Sequence, residues 1–180
     1  RRRIAHTIQY GALVAVAWVL ARLGVDRASA AMGRAWRLIA PLNKRHASVD
    51  GHLAAAFPDW TAERRREVIG DMWENLGRTA AETILLPELL AEADTRIDWS
   101  HLPEGILEPA RNGAIFVSLH TGNWEIVSWP MVATGLPLHA IYKPLRNPAV
   151  EQWLVEKRRA LYRDGLLPID RSITLKIKTL

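Results

Sequence analysis

From Ala114 onward the apolar residues stop recurring at helical spacing. Ala114 to Leu119 is a short run without polar alternation, the pattern of a strand buried on both faces. A helix over Asn123–Thr134 follows, with Pro130 kinking it or stopping it early. Leu138–Tyr142 reads as a second strand. Pro148 opens a helix that runs to Arg163, and Gly165 caps it. Leu166–Ile169 is a third strand, and Ser172–Leu180 begins another helix. Strand and helix in alternation call for a parallel sheet covered by helices, so the expected class is α/β with an αβα core. Open parallel sheets normally carry more strands than this, so the chain reads as the first part of a longer protein.

The chain before Ala114 is helical. Ala28–Ile39 is a helix ended by Pro41, and Asn43–Phe57 a helix ended by Pro58. Thr61 caps a long helix, with Glu63 in its first turn. Val68, Met72, Leu76, Ala80 and Ile84 recur every four residues and form its expected buried face, and Pro87 ends it. Glu88–Arg111 is acidic and proline-bearing, a loop with short pieces of helix or strand.

At the amino end, Arg1-Arg2-Arg3 precedes a stretch from Thr7 to Ala21 that carries no charge, and Arg22 closes it. Three readings fit: an oblique membrane span, a helix lying in the interface, or a signal peptide with a poor cleavage site. A buried core helix is the non-membrane alternative. Arginines ahead of the run place the amino end of a span on the cytoplasmic side. The expected division is 1–27 as membrane-anchor helix, 28–112 as helical region and 113–180 as the start of the α/β core. A net charge of +5 and a pI of about 10.0 favour anionic partners. The basic residues are scattered and no recognition motif accompanies them, which speaks against nucleic acid. There is no cysteine, so a disulfide framework, a cysteine–zinc site and a cysteine nucleophile are excluded.

The sequence Ser118-Leu119-His120-Thr121-Gly122-Asn123-Trp124-Glu125 stands where the first strand hands over to a helix, the place where open α/β sheets gather ligands. Gly122 and Asn123 offer backbone N–H groups to an anion there. His120 with the Glu125 carboxylate can act as a general base toward a hydroxyl. Equally, His120 can cap a strand and Glu125 a helix. No His-Glu-x-x-His motif suggests a metal, Ser118 lacks a Gly-x-Ser-x-Gly setting, and no lysine follows the glycine as in a phosphate loop. Lys143 ends the second strand, where it can reach a phosphate or an oxyanion or simply be solvated.

His120 and Glu125 resemble the His-x4-Asp/Glu motif of glycerolipid-type acyltransferases. More specifically, "HTGNWE", "IYKPLRNP", "KRRALYRDGLLPIDR", "AAAFPDW" and "MWENLGRTAAE" resemble the lipid A biosynthesis acyltransferases, the lauroyl and myristoyl transferases of Gram-negative bacteria. The resemblance implies an enzyme of the bacterial inner membrane, on its cytoplasmic face. It would move a fatty acyl group from acyl carrier protein to a hydroxyl of a lipid A precursor, with no cofactor and no metal. His120 would be the base and Glu125 its partner, with Gly122, Asn123, Lys143 and Arg158 as oxyanion or substrate-binding groups. Periodicity does not single out Arg158, which falls at the margin of its helix's apolar stripe; the family pattern does. Two rivals stand beside this reading: an acyltransferase for phosphatidylinositol mannosides or another glycolipid, and a catalytically silent lipid- or carrier-binding fragment.

Overall fold

The computed structural model describes residues 2–163 and 165–170. It is mostly helical, with one small parallel sheet. Helix α1 (Arg2–Leu23) ends at Gly24, whose φ of 73° breaks the helix before α2 (Val25–Ile39) begins. A 3-10 turn over Ala40–Leu42, with Pro41 in its first positions, leads to α3 (Lys44–Ala56). Asn43 caps α3, its side-chain oxygen accepting from the Arg45 N–H at 2.9 Å. Thr61 caps α4 (Ala62–Ile84) in the same way, accepting from the Arg64 N–H at 3.2 Å. Both caps supply acceptors to helix-end N–H groups that lack intrahelical partners; the sequence reading names Thr61 as a cap and places Asn43 inside its helix.

Two short helices, α5 (Leu86–Ala91) and α6 (Ala93–Arg96), occupy the start of the expected loop. Pro87 begins α5 as well as barring the continuation of α4. The carboxyl part contains α7 (Trp129–Ala133), β1 (His139–Tyr142), α8 (Pro148–Arg158) and β2 (Gly165–Pro168). β1 and β2 pair in parallel with His139 opposite Gly165, and α8 is the crossover between them. Two of the expected strands and their linking helix are therefore present, although α8 stops at Arg158 and Gly165 opens β2 instead of capping the helix. The helix expected over Ser172–Leu180 lies outside the described residues.

The core is built where α2 lies against α4. Ala28, Ala81, Ile84, Leu85 and Leu20 form one buried cluster, and Ala40, Ile69 and Trp73 a second. The buried stripe of α4 is thus Ile69, Trp73, Gly77, Ala81 and on to Leu85, one residue out of phase with the expected one, although the expected Ile84 is buried as well. Met72 is 37% exposed, while Val68, Leu76 and Ala80 are half-buried. Small residues decide the phase. A Cβ on Gly77 would lie 2.6 Å from the Met32 carbonyl oxygen and 2.8 Å from Trp36 Cβ, so α2 occupies that space. An apolar count passes over glycine, although here it marks the closest helix–helix approach.

The strand expected over Ala114–Leu119 does not form. Ile115 and Val117 are each 90% exposed and Leu119 76%. An apolar strand buried on both faces needs a ladder partner and covering layers. Among the described residues the sheet contains β1 and β2 alone, and 114–119 pairs with neither. The helix expected from Asn123 is also shorter, starting as a 3-10 turn over Ile126–Ser128 before α7.

Gly77→Ala should lower unfolding stability by about 1–3 kcal/mol, the usual cost of overpacking a tight contact. Gly51→Ala, inside α3 with no heavy atom within 4 Å of its would-be Cβ, should leave stability unchanged or raise it by about 0.5–1 kcal/mol. Urea denaturation of the two variants compares them directly.

Candidate active site

The segment from His120 to Glu125 is irregular chain, and polar side chains on α4 hold it in place. The Gly122 carbonyl oxygen accepts from Thr79 Oγ1 and from Asn75 Nδ2, each at 3.1 Å. Asn123 Nδ2 donates to Glu82 Oε2 at 2.6 Å, while Ser29 Oγ on α2 donates to the other oxygen, Oε1, also at 2.6 Å. Asn75, Thr79 and Glu82 are spaced i, i+4, i+7, one polar row along α4. Gly122 has φ +54°, a left-handed conformation that a residue with a Cβ adopts at a cost. That turn lets one carbonyl face two donors.

Asn123 works in both directions. Its Oδ1 accepts from the Glu125 N–H at 3.0 Å, so the first free N–H of the following turn is capped locally. Glu125 is buried, at 4% exposure. Arg158, at the end of α8, meets it in a bidentate pair: Nε donates to Oε2 at 2.9 Å, and a terminal nitrogen donates to Oε1 at very short range. A carboxylate this deep must be paired and hydrogen-bonded to remain charged. Ser128 Oγ donates to the Glu125 carbonyl at 3.2 Å and ties the next turn to the same point.

Of the residues singled out in the sequence, the fold brings Glu125 and Arg158 into direct contact and seats Gly122 and Asn123 on α4. His120 is exposed, with its ring 5.3 Å centroid to centroid from Trp124 and tilted by 37°. Both Glu125 oxygens face Arg158, and among the described residues no hydrogen bond joins His120 to Glu125. Lys143 follows β1, exposed and without an ion-pair partner among the described residues. Arg146 is likewise exposed, and Arg171 lies outside the described residues. No group of three or more metal-ligating side chains occurs among them. An open cleft of about 670 Å³, lined by Trp99, Leu102, Ile106 and Leu136 among others, contains none of these candidates.

Reading by motif missed Asn75, Thr79 and Glu82. All three lie within "MWENLGRTAAE", and their helical spacing was the available signal: a polar row on a helix whose other faces bury apolar side chains. Tyr162 was missed as well. Burial raises its phenol pKa, the Ser128 hydroxyl opposes the shift, the nearby Glu125 charge adds to it and the Arg158 charge opposes it.

Comparison with known proteins gives one family. The family model described as bacterial lipid A biosynthesis acyltransferase matches residues 1–179. Searches of curated proteins and of solved structures gave no match.

The Tyr162 shift has a consequence for stability. Burial holds its folded pKa above the ordinary tyrosine value of about 10, so its contribution is complete below about pH 10. Above that pH the unfolded chain gives up the proton first, and stability falls as pH rises through the folded value. Urea unfolding followed from pH 9 to 11 should show a steeper alkaline loss for the native chain than for Tyr162→Phe.

Proposed function

Because the chain belongs to the bacterial lipid A biosynthesis acyltransferases, we propose that it transfers a fatty acyl group from an acyl-carrier-protein thioester to a hydroxyl of a lipid A precursor. The match across residues 1–179 carries this reading, and the construction of the 120–125 segment supports it. A loop pinned by three side-chain hydrogen bonds to α4, with a fourth inside it, and ending in a buried, paired glutamate is far more fixed than a surface turn requires.

In the proposed reaction, His120 takes the proton from the acceptor hydroxyl as its oxygen attacks the thioester carbonyl. The carbonyl becomes a tetrahedral oxyanion, then re-forms as the carbon–sulfur bond breaks. The departing thiolate receives the proton from His120. Glu125, held in place by Arg158, is the partner carboxylate that balances the imidazolium. N–H groups at Gly122 and Asn123, together with Lys143, are the donors for the oxyanion. No step needs a metal or a cofactor. The apolar helix α1 attaches the enzyme to the cytoplasmic face of the inner membrane, where such an acceptor lipid resides. In this reading the chain divides into an anchor over 1–27, a helical region over 28–112 and an α/β acyltransferase part after it.

The test supplies a radiolabelled lipid A precursor with acyl carrier protein thioester, and in parallel a mannosylated inositol lipid and a coenzyme A thioester. The expected outcome is transfer to the lipid A precursor from the carrier protein. His120→Ala should reduce the rate by about 10²–10⁴-fold, the usual contribution of a general base. Full transfer by both His120→Ala and Glu125→Ala would eliminate the mechanism. Preference for the inositol lipid would reassign the acceptor.

A further inference from the structure

Helix α1 is long and apolar enough to cross a membrane, with a mean hydropathy of 1.6 over its most apolar window. Its 22 residues extend about 33 Å, against a hydrocarbon core of about 30 Å. Length and composition therefore allow a span, but its contacts argue for another arrangement.

Among the described residues of α1, only His6, Leu13, Ala17 and Leu20 are shielded from solvent. Their spacing of seven, four and three residues is a single seam along the helix. Leu20 belongs to the buried cluster with Ala28, Ala81, Ile84 and Leu85, and Leu13 and Ala17 pack against it. At the other end, Asn147 Nδ2 donates to the His6 carbonyl at 2.9 Å and to Gln9 Oε1 at 3.1 Å. Asn147 is itself 6% exposed and caps α8 through its Oδ1. The body is thus fastened to α1 from His6 to Leu20, about 21 Å of its length.

The rest of the circumference is uncharged and bare. Ile4 and Ile8 are each 66% exposed, Trp18 57% and Val19 49%. Arginine stands at both ends of the helix, at Arg2 and Arg3 and again at Arg22, whose guanidinium lies 4.2 Å from the Trp18 ring centroid.

We propose that α1 stays docked on the body and lies in the plane of the cytoplasmic leaflet, its exposed apolar face in the acyl boundary and its terminal arginines at the headgroup phosphates. This rests on the membrane attachment proposed above and specifies its form. Two observations favour it over a span. An upright α1 would draw the elements docked along its seam into hydrocarbon, and with them the exposed charges of Asp26, Arg27, Glu156 and Arg159. A span also places its basic flank mainly on one side, whereas α1 carries arginine at both ends. For a helix in the plane, both ends sit at headgroup level and both arginine groups meet anionic lipid.

The chain contains no cysteine, so single cysteines can be introduced at will. Ile4→Cys, Ile8→Cys, Ala15→Cys and Val19→Cys share one exposed stripe, within about 60° on the helix. Each is labelled with an environment-sensitive fluorophore and bound to vesicles of phosphatidylethanolamine and phosphatidylglycerol. Quenching by lipids spin-labelled at several depths then locates each probe, and circular dichroism confirms that each labelled protein is folded. The expected result is one shallow depth for all four, about 5–10 Å below the headgroups. A span would instead put Ala15 near the bilayer centre and Ile4 about 9 Å further out. That graded profile would overturn the in-plane arrangement alone, and failure to bind the vesicles would remove the membrane attachment with it.

Discussion

Glu82 has two carboxylate oxygens and gives one to each side of the molecule. Ser29 on α2 takes the first and Asn123 of the 118–125 loop takes the second. A partly buried carboxylate is tolerable only when its oxygens are met by donors, so both partners must be in place. Ser29 reaches Glu82 because α2 lies close to α4, and α2 lies close because Gly77 has no side chain. The same contact that builds the core therefore fixes the loop. From Asn123 the chain of dependence continues: its Oδ1 caps Glu125, Glu125 pairs with Arg158, and Arg158 ends the helix whose first turn Asn147 caps and fastens to α1.

This connectivity gives the proposed chemistry a physical basis. A base in acyl transfer is effective when its partner charge and the oxyanion donors are already positioned, because little reorganisation is left for the reaction step. Here the backbone from Gly122 to Glu125 is held by α4, and the Glu125 carboxylate by α8. The His120 side chain stays exposed, its ring tilted against Trp124. The fixed part is the charge and the turn, and the open part is the side from which the proposed substrates would approach.

Much of this was legible in the sequence wherever a local rule decides the outcome. Thr61 caps the helix it precedes because a short side-chain oxygen there satisfies an N–H that nothing else can reach. The β1–α8–β2 unit follows from its punctuation by proline and glycine. What escaped the reading depends on partners distant in the chain. The phase of α4 was set by Gly77 and Ala81, which an apolar count undervalues. Ala114–Leu119 has the composition of a buried strand, but composition cannot supply the neighbouring strand that would bury it. Glu125 was expected beside His120 because they are near in sequence, whereas its nearest charge, Arg158, is 33 residues away. The sequence resemblance groups Arg158, the 120–125 motif and "MWENLGRTAAE"; the fold brings the motif into contact with both of the others.

The central claim is that Glu82 couples the α2–α4 core to the loop that carries His120 and Glu125. A double-mutant cycle of Glu82→Ala and Asn123→Ala, read by urea unfolding, measures it most directly. A coupling of at least about 1 kcal/mol is expected, as for a hydrogen bond to a charged group. Additivity within about 0.3–0.5 kcal/mol would contradict it, and would mean that the loop is positioned without Glu82.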